Sequence, residues 1–159
     1  MSSNNNKLNN SNVIDFSKKR RENIEKKKRQ FERVLFGEFV GCYTEVAGKE
    51  SLFSLKMIDV SESGCQLEVE QAPGVEQHFT QGLMLSIRMY FTKKSYLPAD
   101  VKVMRSQLEE VGGREVWRVG CEFDQNLPSY RAIKGMVNFL YLYAEHSQVE
   151  NRDQRVFFL

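Results

Sequence analysis

Between residues 34 and 123 the chain breaks into six short apolar or β-branched segments at nearly regular spacing, with no helical pattern between them. They are 34–46 (VLFGEFVGCYTEV), 52–59 (LFSLKMID), 65–70 (CQLEVE), 83–91 (LMLSIRMYF), 97–105 (LPADVKVMR) and 115–123 (EVWRVGCEF). Several alternate with period two: Leu83, Leu85, Ile87 and Met89 share a face, as do Val101 and Val103, and Val116 lies opposite Trp117. Turn signals punctuate them at Gly48-Lys49, Ser63-Gly64, Pro73-Gly74, Lys93-Lys94 and Gly112-Gly113. Short strands joined by turns, without crossover helices, predict a mainly β antiparallel barrel or sandwich.

The flanks obey other rules. After Asn126-Leu127-Pro128-Ser129, the residues Ile133, Met136, Val137, Leu140 and Tyr143 recur at helical spacing. Asn126 or Ser129 is placed to cap that helix, and Pro128 suits its first turn. Its apolar stripe needs cover from the barrel or from a second subunit, which leaves a homodimer open. Residues 1–14 are polar and Asn-rich and cannot bury enough apolar area to order themselves. The division predicted is a polar tail (1–14), a flexible basic arm (15–32), the barrel (33–125), the helix (126–145) and a tail (146–159); residues 15–28 have weak helical character and are expected as a frayed helix or an extended arm. The apolar end Val156-Phe157-Phe158-Leu159 is expected to pack on the domain.

Charge is distributed unevenly. The net charge is +2, yet residues 18–33 hold nine Lys/Arg against Glu22, Glu25 and Glu32, a segment of +6 that leaves −4 for the remainder. Such a segment is suited to an anionic partner: phosphate, nucleic acid or an acidic surface. Cys42, Cys65 and Cys121 are odd in number and lack metal-site spacing. They are expected as small core residues in a reducing cytoplasm. No apolar run approaches the ~18–20 residues of a membrane span, and the polar N-terminus lacks the apolar centre of a secretory signal. His78 and His146 are not near a candidate nucleophile or metal-ligand pattern, and no glycine-rich phosphate loop is present, so no enzyme and no cofactor are expected.

Two motifs carry chemistry. Arg29-Gln30-Phe31-Glu32-Arg33 is an R-x-x-x-R, and Asp59-Val60-Ser61-Glu62-Ser63-Gly64 is a D-x-S-x-x-G between two predicted strands. With 11 Arg in 159 positions the first motif recurs by chance roughly 0.7 times, and Arg114-Glu-Val-Trp-Arg118 supplies a second copy. The other motif is expected by chance only roughly 0.07 times. Their order is more telling than either alone. The 26 residues from Arg33 to Asp59 leave room for one hairpin that returns the turn to the barrel mouth.

In these motifs, and in KKRQFERV before the first strand and RVGCEF at the last, residues 26–143 resemble the PilZ family of bacterial cyclic di-GMP receptors. The resemblance implies a six-stranded antiparallel barrel with a C-terminal helix. It implies cyclic di-GMP as ligand and Arg29, Arg33, Asp59, Ser61 and Gly64 as its binding residues. The chemistry is sound on its own terms. A guanidinium fork pairs bidentately with phosphate oxygens or with guanine O6 and N7. The Asp59 carboxylate accepts from the guanine N–H edge, the Ser61 hydroxyl donates or accepts, and Gly64 permits a sharp turn. The bland alternatives are a solvated basic run for the arginines and an ordinary turn for Asp59 to Gly64. Lys28, the residue before the first motif, is expected to contribute to binding and to tolerate the denser charge of two nucleotides. Trp117 is expected as a core aromatic rather than a base-stacking one, and Arg20 and Arg21 as solvated.

The mechanism expected is that nucleotide orders a mobile arm by bridging Arg29 and Arg33 to the Asp59 turn, creating a surface for an unidentified downstream protein. Two rival classes are a PilZ-like interaction adaptor that binds no nucleotide and a small-barrel nucleic-acid-binding protein.

Overall fold

The computed structural model describes residues 15–45 and 52–148. Helix α1 (Phe16–Val34) runs into a π-helical turn (Leu35–Phe39) and then into β1 (Gly41–Glu45). There follow β2 (Leu52–Val60), β3 (Gly64–Glu70), a 3₁₀ turn (Val75–Phe79), β4 (Met84–Tyr90), β5 (Tyr96–Val111), β6 (Arg114–Phe123) and α2 (Tyr130–His146). The strands close into a barrel in the order β1-β2-β3-β6-β5-β4, every pairing antiparallel. The six-stranded barrel and C-terminal helix expected from the sequence are therefore present.

The alternating residues point inward. Leu67, Ile87, Met89, Val101, Val103 and Val119 are fully buried, and Phe79 from the 3₁₀ turn joins the same cluster. On α2 the positions Ile133, Val137 and Leu140 enter that cluster too. These three positions of the helical stripe are thus covered within the chain. Ser129 sits at the N-cap of α2, but its hydroxyl donates to Pro98 O at 2.7 Å and caps no helical amide. Asn126, the other predicted cap, donates its side-chain and backbone N–H to Asp124.

One expectation at the N-terminal end needs correction. The apolar stretch 34–40 is not strand; it continues the helix through the π turn, and β1 begins only at Gly41. The basic segment, whose sequence left a frayed helix or an extended arm open, is a 19-residue helix. Asp15 caps it, its carboxylate accepting from Ser17 N (3.0 Å) and Lys18 N (3.2 Å). Lys, Arg and Glu are good helix formers, and Ile24, Lys28, Phe31 and Leu35 recur at i, i+4, i+7 and i+11, facing inward. The inward face lies on α2: Phe31 stacks on Tyr143 with ring centroids 4.1 Å apart, and Arg20 pairs with Glu145 at 2.8 Å. Charge density in the sequence masked this narrow apolar face. The Gly48-Lys49 turn and both tails lie outside the described residues.

Candidate functional site

The D-x-S-x-x-G turn is the loop between β2 and β3. Ser61 N donates to Gly64 O at 2.8 Å, and the Ser61 hydroxyl bridges the same residue, lying 3.1 Å from its O and 3.3 Å from its N. Helix α2 pins the loop from outside: Tyr130 Oη donates to Glu62 O at 2.8 Å, and Lys134 lies 3.6 Å from the Glu62 carboxylate. Gly64 holds no positive φ. A side chain there is excluded by packing, because a Cβ would stand 2.0 Å from Cys121 O on β6. So the glycine is needed for strand-to-strand approach and not for the sharp turn predicted.

Asp59 owes its direction to a bulge. The β2–β3 register shifts between Met57 and Asp59, which inserts Ile58 and turns Asp59 toward the loop. A second bulge occurs on β5, where the register with β6 shifts between Val103 and Arg105. The two bulges bring Asp59 and Arg105 to one open concavity of about 310 Å³, with Ser61, Gly64, Gln66 and Gly120 also in its lining. Arg105 lies across Gly120: a Cβ on that glycine would meet Arg105 Nε at 2.8 Å. Arg105 is exposed, and among the described residues no carboxylate is within ion-pair distance of it.

The sequence reading missed Arg105. The signal was Gly120 inside a closing strand, since an interior strand glycine marks a bulge or a close approach.

Beneath the concavity Cys65 and Cys121 face each other across β3 and β6. A hydrogen bond to Cys121 and burial push the Cys65 thiol well above its usual range. Burial raises Cys42 to about 12. All three cysteines are free and buried, as expected. Cys65 and Cys121 line the floor of the concavity.

The R-x-x-x-R motif occupies the last turns of α1. Arg29 and Arg33 are exposed, and among the described residues neither makes an ion pair or a side-chain hydrogen bond. They line a separate open groove of about 840 Å³ along α1, together with Arg21, Lys26 and Gln30. In this conformation the two motifs do not share a concavity.

Lys28 lies on the inward face of α1. It is 4% exposed, and its Nζ donates to Glu32 Oε1 at 2.7 Å and to Val60 O at 2.9 Å while lying over the Tyr141 ring. In this conformation its charge is turned inward. Glu32 is fully buried; Oε1 also accepts from Val60 N at 3.3 Å, whereas Oε2 has no partner. Burial raises the Glu32 carboxyl above 4.5 despite the opposing effect of Lys28.

The remaining candidates resolve simply. Trp117 packs against the core and donates to Gln71. It pairs with Val69, five residues or about 17 Å along β3 from Gly64, out of reach of the turn. The second R-x-x-x-R copy is structural: Arg118 bridges Glu68 at 3.0 Å and Glu109 at 3.5 Å, and Arg114 bridges Glu70.

A closed antiparallel barrel with a bulged strand leading into this turn, entered through an arginine-bearing helix, defines a small-barrel domain with a polar concavity at one loop. A profile of the PilZ domain matches residues 27–139, and the chain belongs to that family. No curated protein sequence matches it. Among solved structures it is similar to apo MrkH of K. pneumonia, with 15% identity, 68% of this chain and 49% of that chain covered, and a TM-score of 0.56. The PilZ domain of YcgR from Escherichia coli, solved with c-di-GMP, is 19% identical over 66% of this chain and 83% of that one, TM-score 0.52. PlzA of Borreliella burgdorferi, in complex with c-di-GMP, is 14% identical over 85% and 60%, TM-score 0.51. The chain spans about half the length of MrkH. At these identities the likeness extends to the fold. No helix among the described residues is long and apolar enough to cross a membrane.

Proposed function

We propose that this chain is a cyclic di-GMP receptor whose site is completed from two sides. Asp59, Ser61, the backbone around Gly64 and Arg105 supply one side; Arg29 and Arg33 supply the other. The observation that carries the reading is the pair of bulges that aims an acceptor, Asp59, and a cation, Arg105, into one concavity beside the turn. An ionised carboxylate suits the guanine N–H edge, and a guanidinium suits a phosphodiester or guanine O6 and N7. Two similar structures, YcgR and PlzA, hold c-di-GMP.

Occupation of both sides draws the arm toward the turn and alters the surface it shares with α2. That change is the signal to a downstream protein. The reading puts the receptor in the cytoplasm, which three free cysteines suit. Calorimetric titration with cyclic di-GMP tests it: saturable heat from the wild type, lost in a folded Arg29→Ala/Arg33→Ala variant, is expected. A folded wild type that gives no heat and no competition would sink it. The adaptor reading would then lead, favoured by the position of Arg29 and Arg33 in a groove apart from the turn.

A further inference from the structure

The pair Lys28–Glu32 interleaves with the arginine motif, each member one residue ahead of an arginine. On a helix, positions 28 and 32 share one face, and positions 29 and 33 lie about 100° round from it. The first face is buried and the second is in solvent. Both buried side chains reach the same residue, Val60, which follows Asp59 directly: Lys28 Nζ donates to its O and Glu32 Oε1 accepts from its N. The end of the arm is thereby fastened to the backbone of the site's own turn. Tyr141 of α2 lies against Lys28 with its ring centroid 4.8 Å away, closing the contact from the third side.

This contact is a poor device for stability alone. Buried ion pairs often contribute less than apolar residues of the same shape. Here the carboxylate keeps one oxygen, Oε2, buried without a partner. A buried, under-satisfied charge is a strained contact that can be given up. The π-helical turn after α1, closed by Val40 N donating to Leu35 O at 2.9 Å, provides a pivot, since such turns interrupt regular helices where function requires it.

We propose that Lys28 and Glu32 are positioning residues that hold Arg29 and Arg33 away from the concavity at Asp59, so that nucleotide binding works against their contact with Val60. The proposal rests on the receptor reading above and adds its regulation. Lys28 then acts against the ligand, not as a cation that attracts it. The affinity of the resting chain is reduced by the fraction of molecules in which the arm is free, and loosening the contact restores it.

Lys28→Met is the discriminating variant. It removes a positive charge, which by electrostatics alone would weaken the binding of a dianion. The expected result is the opposite: binding about three- to tenfold tighter by calorimetry at pH 8, and faster amide exchange over the last two turns of α1 and at Val60. Glu32→Ala serves as the second variant should Lys28→Met fail to fold. Unchanged or weaker binding by folded Lys28→Met, with wild type binding normally, overturns the proposal and leaves the receptor intact. No binding by wild type or by any variant overturns the receptor reading, and this proposal with it.

Discussion

Gly64 and Gly120 are both strand glycines without positive φ, and each is dictated by a different neighbour. The atom that a Gly64 Cβ would meet is a backbone carbonyl, which cannot yield without opening the β3–β6 ladder. Gly64→Ala is therefore expected to destabilise the fold by about 1–3 kcal/mol or more, read as a lower Tm. The atoms opposing Gly120 belong to the Arg105 side chain, which can swing away. Gly120→Ala is expected to leave Tm nearly unchanged and to weaken nucleotide binding by displacing Arg105. Arg105→Ala tests the same contact directly. A tenfold or greater loss of affinity with Tm within about a degree is expected, as suits one charge-assisted contact of about 1.5–3 kcal/mol. Equal affinity in the two Arg105 forms would remove that residue from the site.

At the scale of elements, α1 joins to α2 by ring stacking and to β2 by the buried pair. The pH dependence of that second junction has a definite sign. Burial raises the Glu32 carboxyl above 4.5; Lys28 opposes the shift and the nearby Asp59 adds to it. The folded state therefore holds the Glu32 proton more tightly than the unfolded state. Its contribution to stability is fully present below about 4.5 and is lost as pH rises through the folded value. Glu32→Gln carries no such proton. The stability of wild type relative to Glu32→Gln is expected to fall as pH is raised from 4 to 8, measured by denaturant unfolding at each pH. A constant difference would show that Glu32 is solvated like an ordinary carboxylate.

For the whole molecule, α2 is the shared wall. Its Ile133, Val137 and Leu140 complete the barrel core, its Tyr130 and Lys134 hold the Glu62 loop, and its Tyr143 receives the arm. Leu140→Ala is expected to cost about 2–5 kcal/mol as a buried cavity, seen as one cooperative loss in thermal unfolding. Tyr130→Phe, which removes a single hydrogen bond to the loop, is expected to cost about 1 kcal/mol and to loosen the turn. Separate unfolding of helix and barrel in Leu140→Ala would contradict a common core.

The barrel was legible because alternation such as Leu85, Ile87, Met89 records which side chains face inward, and because burial of alternate residues is what stabilises a strand. The α2 stripe was legible for the same reason at helical period. The turn at Asp59 was legible as a residue pattern, but its working geometry was not. The bulges at Ile58 and Met104 arise from how β2 registers against β3 and β5 against β6, and no single strand records that. Arg105 entered the site only through such a shift. The arm was left between a frayed helix and an extended segment because its charge is local and visible, whereas its packing depends on Phe31 and Lys28 finding partners more than a hundred residues away on α2. Sequence alone determined which residues carry charge, which faces are apolar and therefore which fold class results. Only the tertiary structure decided where those charges point, because direction depends on long-range packing that composition and periodicity do not encode.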